Sequence, residues 1–224
     1  VSEIAEFEYG PDIPGETELR LLGPVPGKRI LVLGCRRTDA ILSLARNEAK
    51  VIVVDQVSRR VDRAREACEK AEVRVEFHRT DLADLAFLRG DSIDAALSVS
   101  ALAEVEDLNR VFRQVHRVLG ANSPLALSLP HPAFATLDPD GGEPPRLARR
   151  YADAEPLTGR TEGVEAEYAH TIGGLFTSLT RAKFRVDTFL EPEPLAGMAR
   201  SSHWEPAMAW MPATVVLRAR KEGS

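Results

Sequence analysis

The chain is short of cysteine, of long apolar runs and of positive charge, and each shortage closes off a class of function. Its two cysteines, Cys35 and Cys68, lie far apart in sequence and fit no metal-ligand spacing. No His, Cys, Asp or Glu constellation suggests a metal elsewhere, and a reduced, cytoplasmic setting is the simplest reading. No apolar stretch approaches the roughly 20 residues that span a bilayer, so no membrane partner is expected. The opening residues, VSEIAEFEYGPDIPGE, lack the basic and apolar regions of a signal peptide. Lys and Arg total 29 against 34 Asp and Glu, a net charge of −5, which weighs against a nucleic-acid partner. No internal repeat is present.

Scarcity of a fourth kind falls inside the most informative stretch, KRILVLGCRRTDAILSLAR. Ile30-Leu31-Val32-Leu33 reads as a strand buried on both faces. It breaks at Gly34, and a helix follows with Ile41, Leu42, Leu44 and Ala45 on one side. Strand, tight turn and helix form the nucleotide site of a doubly wound sheet, where backbone N–H groups and a helix N-terminus meet the ligand. A second strand, Val51 to Val54, ends in Asp55, placed to accept hydrogen bonds from a ribose diol. Such a turn favours glycines, yet Gly34 is followed by Cys35, Arg36, Arg37 and Thr38.

The 224 residues suffice for one domain with a sizeable core. Residues 1–15 read as an extended tail and Glu16 to Leu22 as a short helix. Together, residues 1–23 form an N-terminal strap able to carry Tyr9 to a ligand. Ser58 is positioned to cap a helix running to about Lys70. Val73 to Phe77 alternates as a third strand and leads to Asp81, which either meets an adenine amino group or caps the turn Asp84–Leu88. Ser92 to Val99 is a fourth strand, with Asp94 at the far edge and Ser98 to Leu102 on the ligand edge. Leu108, Val111, Phe112, Val115, Val118 and Leu119 mark the clearest helix. Pro124 to Leu129 is a fifth strand, stopped by Pro130-His131-Pro132.

Residues 133–163 are rich in proline and charge without periodicity, as in a lid or substrate loop. A helix from about Ile172 to Leu179, a strand from Phe184 to Leu190, a loop holding His203, Trp204 and Trp210, and a last strand from Ala213 to Ala219 complete the chain. The expected fold is α/β: a doubly wound, mostly parallel seven-stranded sheet with helices on both faces and an antiparallel last strand.

The order KRILVLGC, VIVVDQ, FHRTDLADLAFLRGDSIDAALSVSALAEVEDLNRVFRQVHRVL and LALSLPHP resembles the class I S-adenosylmethionine-dependent methyltransferases. It is most similar to the small-molecule group with a methyltransferase type 11 domain, within a set common in actinobacteria. The resemblance extends through EYAHTIGGLFTSLTRAKFRVDTFLEPEP and PATVVLRARKEG, nearly the whole chain. It implies S-adenosylmethionine as cofactor and a small-molecule methyl acceptor. It places Gly34 and Cys35, with Arg36 beside them, at the methionine part of the cofactor. Asp55 falls at the ribose hydroxyls, Gln56 beside the adenine, Asp81 and Leu82 at the adenine amino group and ring, and Ser98 to Leu102 along the methyl-donor pocket. Tyr168, His170 and His131 fall toward the acceptor, with His131 the best candidate for a base. Trp204 and Trp210 either wall an apolar acceptor pocket or belong to the core or a homodimer contact.

The family pattern after Gly34-Cys35 is Gly-x-Gly, and Arg36, Arg37 and Thr38 replace it. Arg36 must point away or take cofactor volume, and a positive φ there would cost roughly 1–2 kcal/mol. An arginine could instead pair with the cofactor's carboxylate. Two readings therefore stand: a methyltransferase for a small molecule, or a non-catalytic binding or regulatory protein that lost its cofactor at this turn.

Overall fold

A computed structural model describes residues 4–159, 164–197 and 199–223. Its seven strands are β1 (Arg29–Leu33), β2 (Lys50–Val54), β3 (Val75–His78), β4 (Ala95–Val99), β5 (Pro124–Pro130), β6 (Phe184–Leu190) and β7 (Thr214–Lys221). They form one sheet in the order β3-β2-β1-β4-β5-β7-β6. The first five strands run parallel, and β7 enters antiparallel between β5 and β6 with Leu127 opposite Leu217. Sequence reasoning anticipates that insertion, because a loop rather than a crossover helix precedes β7.

Helices α1 (Glu16–Leu19), α2 (Thr38–Arg46), α3 (Ser58–Lys70), α4 (Leu108–Val118) and α5 (Ile172–Arg181) cover the sheet. Side chains alternate across each strand, so one run of apolar residues feeds two cores. Leu31 and Leu33 face one side with Phe112, Val115, Leu175 and Leu179 of α4 and α5. Ile30 and Val32 face the other with Ile41, Leu44, Val61 and Ala64 of α2 and α3.

Four expectations change. The N-terminal segment is no loose tail: Ala5, Phe7, Tyr9 and Ile13 are buried in the second core. Its anchor is Glu16, fully buried, which accepts hydrogen bonds from the Tyr9 hydroxyl (2.6 Å) and the backbone N–H groups of Leu21, Leu22 and Gly23. Ser58 does not cap α3; Val57 holds that position, and its N–H donates to Asp55. Strand β4 starts at Ala95 rather than Ser92, since Asp94 accepts the Arg29 N–H at 2.8 Å and Ile93 bridges to Leu119. Residues 133–159 carry a 3-10 turn at Phe134–Thr136 and a bridge from Leu137 to Leu147. The end of the expected lid, residues 160–163, lies outside the described residues. Among the described residues no helix is long and apolar enough to cross a membrane.

Candidate active site

Parallel strands β1, β2 and β4 end along one edge of the sheet, so Gly34, Asp55 and Ser100 come together there. Each continues the ladder by one bond: Gly34 N–H donates to Val54 O (2.7 Å), Asp55 N–H to His78 O (3.2 Å) and Ser100 N–H to Ser128 O (3.0 Å). Gly34 has φ +91°, and a Cβ built on it would stand 2.2 Å from the Ala101 Cβ. Only glycine permits this approach between the first turn and the segment after β4.

Asp55 is 3% exposed and ties the edge together. Its Oδ2 accepts the Cys35 N–H at 2.7 Å and its Oδ1 the Val57 N–H at 2.8 Å. The Cys35 side chain turns into the core; burial and the Asp55 charge push its thiol up to about 12, so it is no nucleophile. Ser98 is corrected: it is fully buried, and its hydroxyl donates to Leu33 O at 3.2 Å, bracing β4 against β1 rather than facing the cleft. The cleft wall after β4 is the 3-10 turn Ala101–Glu104, entered through Ser100 at φ 59°.

Arg36 resolves the conflict in the turn. Its φ is not among the positive values, so no left-handed strain arises. Its side chain leaves the turn toward the far wall, where Nη1 donates to Glu167 (2.8 Å), the Ser100 carbonyl (3.3 Å) and Glu104 (3.4 Å). Arg60 of α3 grips Glu104 through both terminal nitrogens and lies 3.8 Å from Asp55. Asp55, Glu104, Glu167, Arg36 and Arg60 thus share one network of ion pairs. Sequence reading missed Arg60, Glu104 and Glu167; their register on separate elements leaves no local signal.

The Arg60 Nε is buried without a hydrogen-bond partner among the described residues. An orphaned donor beside the β2-tip carboxylate fits a ligand rich in hydroxyl and other acceptor groups. Gln56 is exposed next to Asp55. Past β3, Leu82 is buried, and Asp81 stands exposed with its Oδ1 accepting the Ala83 N–H at 2.7 Å. Local capping of that turn by Asp81 is therefore realised, though at Ala83 rather than over Asp84–Leu88.

Beside this edge lies a pocket lined by Pro130, His131, Phe134, Ala135, Glu167 and Tyr168. His131 Nδ1 accepts the Ala133 N–H at 3.0 Å, which puts the ring proton on Nε2, 2.7 Å from Glu191 Oε1. A base role would require that Nδ1 bond to break. The His170 Nε2–H donates to the Val105 carbonyl at 2.8 Å, so His170 fastens the pocket segment and does not line the pocket. Two substrate expectations are corrected. Tyr9 is fully buried against Glu16 and Phe7, far into the second core. Trp204 stacks under Arg200, 3.9 Å from guanidinium to ring centroid, in the loop before β7 and away from the pocket. Among the described residues no group of three or more His, Cys, Asp or Glu could hold a metal.

The sequence profile of the methyltransferase domain family matches residues 30–122, from β1 to just past α4. Comparison with curated proteins finds no match. An S-adenosylmethionine-dependent methyltransferase from Mesorhizobium loti is 27% identical, with TM-score 0.73 over 92% of this chain and 96% of that one. Geranyl diphosphate C-methyltransferase of Streptomyces coelicolor A3(2), solved with S-adenosylhomocysteine, is 14% identical, with TM-score 0.66 over 92% of this chain and 78% of that one. The 1,6-didemethyltoxoflavin-N1-methyltransferase of Burkholderia thailandensis, also with S-adenosylhomocysteine, is 14% identical, with TM-score 0.58 over 89% and 72% of the two chains. These likenesses do not favour the non-catalytic reading, and its backbone-strain ground falls with the absence of a positive φ at Arg36. Sheet order, a carboxylate at the β2 tip, a glycine at the β1 turn and the matched profile agree: the chain carries a methyltransferase domain on the fold of the S-adenosylmethionine-dependent methyltransferases.

Proposed function

We propose that the enzyme methylates a small, largely apolar acceptor seated between the end of β5 and the segment around Tyr168. The observation that carries this is the apolar lining of the pocket, Pro130, Phe134, Ala135 and Tyr168, around a cavity of about 50 Å³. Apolar walls with few polar groups are what a small apolar molecule requires. Glu167 belongs both to this wall and to the ion pair with Arg36, so pocket and cofactor cleft adjoin. Two of the structural neighbours, by their names, methylate small molecules, which supports the same class here.

When bound, S-adenosylmethionine supplies an already activated methyl group on a sulfonium. The chain's residues are left to bind, align and exclude water. Asp55 is the group for the ribose hydroxyls, with the orphaned Arg60 Nε beside it. Gln56, Asp81 and Leu82 flank the adenine. Tyr168 and His131 face the acceptor, and His131 orients the β5 exit through Ala133 and Glu191.

The test is a pocket-filling variant, Ala135→Phe, assayed with a panel of small nucleophiles by mass spectrometry alongside calorimetric titration with S-adenosylhomocysteine. Loss of methyl transfer with retained cofactor binding is expected. Unchanged transfer would move the acceptor elsewhere, and no binding by the unmodified protein up to millimolar ligand would end the reading.

A further inference from the structure

Arg36 uses only one tine of its fork. All three of its hydrogen bonds leave from Nη1, and its Nε and Nη2 make none among the described residues. The unused edge belongs to a side chain that is 15% exposed and stands one residue past the turn at the cofactor cleft. A guanidinium recognises carboxylates through two parallel N–H groups, and the Nε–Nη2 edge offers that pair.

Resting on the cofactor reading above, we propose that this free edge receives the carboxylate of the cofactor's amino-acid moiety while Nη1 keeps hold of Glu167, so that one side chain joins the bound cofactor to the wall of the acceptor pocket. A side-chain clamp thereby stands in for backbone N–H groups that a glycine turn would offer. In this chain the Cys35 N–H is already committed to Asp55. The two neighbouring carboxylates keep Arg36 extended and aimed; alone they would weaken its hold on a further anion. The cofactor's ammonium and sulfonium offset that repulsion, so the clamp suits a zwitterion better than a bare anion.

The second half of the link is the wall. Glu167 is 6% exposed and lies in a two-way backbone bridge, Leu157 N–H to Glu167 O (2.7 Å) and Glu167 N–H to Leu157 O (2.8 Å). The next N–H, of Tyr168, donates to Ala103 O at 2.7 Å. Fixing Arg36 from the cofactor side therefore steadies Leu157, Glu167 and Tyr168 together, and cofactor binding prepares the acceptor pocket.

The experiment compares S-adenosylhomocysteine with 5′-methylthioadenosine, which keeps the nucleoside and thioether but lacks the amino acid. Calorimetry on the unmodified protein is expected to show roughly tenfold to a hundredfold tighter binding of S-adenosylhomocysteine. Arg36→Gln is expected to remove most of that preference while 5′-methylthioadenosine binds as before. Hydrogen exchange at Leu157, Glu167 and Tyr168 should slow with S-adenosylhomocysteine and not with 5′-methylthioadenosine, and Glu167→Gln should abolish that slowing. Equal affinity of the two ligands, or a preference that survives Arg36→Gln, would overturn the clamp and leave the cofactor reading standing. Absence of binding by both ligands would sink the cofactor reading and the clamp with it. Equal protection by both ligands would break the link to the pocket wall.

Discussion

The Asp55 carboxylate accepts the backbone N–H of Cys35 at 2.7 Å, so the tip of β2 holds the turn that follows β1. One side chain thus shapes the cleft by holding the turns after both strands. Removing it, as Asp55→Ala, orphans the N–H groups of both Cys35 and Val57. Each orphan costs about 1–3 kcal/mol. Expected outcomes are a lower thermal midpoint and loss of S-adenosylhomocysteine binding under conditions where the variant is still folded. Circular dichroism followed by calorimetry reads both, and a variant as stable as the parent would contradict the strut role.

Gly34→Ala brings two separate penalties. Its Cβ meets the Ala101 Cβ at 2.2 Å, and its φ of +91° lies outside the regions open to side chains. Destabilisation of about 3 kcal/mol or more is expected from overpacking and strain together. Adding Ala101→Gly relieves the contact alone, so the double variant should recover part of the loss. Full recovery in urea titrations would show that backbone strain contributes nothing.

Glu104 neutralises Arg60 and shares Arg36, on side chains that are 15% to 18% exposed. Glu104→Gln takes the bidentate partner from Arg60, leaving it Asp55 at 3.8 Å, and leaves Arg36 with Glu167. A stability loss of about 1–3 kcal/mol is expected. The combination with Arg60→Gln should cost less than the sum of the two single changes. A strictly additive pair in a double-mutant cycle would mean that the ion pair carries no coupling.

His170 gives the fold a pH dependence of known sign. Burial holds its imidazole below the usual value of 6.5. The unfolded chain therefore binds the proton more readily, and His170 favours folding above that value. Its contribution declines as pH falls from about 6.5 toward the lowered folded value, then levels off. His116, also lowered by burial, adds a decline of the same sign. His170→Gln is expected to flatten the fall of stability between neutral and mildly acidic pH without removing it all. Chemical denaturation at a series of pH values would show an unchanged slope if His170 is not the source.

Much of this architecture is legible in the residues. α3 and β6 start and stop where their periodicity does, and Phe112 and Val115 point into the core as their spacing requires. Gly34 and Asp55 reach the ligand edge because strand ends fix them there. Side chains that act at long range are harder to read. Tyr9 and Glu16, polar and close to the terminus, look like a ligand arm and a short exposed helix. Buried together, they form a hydrogen-bonded anchor instead. Ser98 stands one residue before the strand end, and the two-residue period of a strand turns it inward.

By itself the sequence determined the strands, the helices, their order and the position of the nucleotide edge, because periodicity and turn residues are local properties of the chain. Only the tertiary structure decided what Arg36 does. Its partners Glu104 and Glu167 are 68 and 131 residues away. Contacts at such separations are set by how the sheet stacks its strand ends, and no local pattern encodes them. The glycine-poor turn, read alone, looks like damage to a site; folded, it carries a guanidinium across the cleft to Glu167 in the wall of the neighbouring pocket.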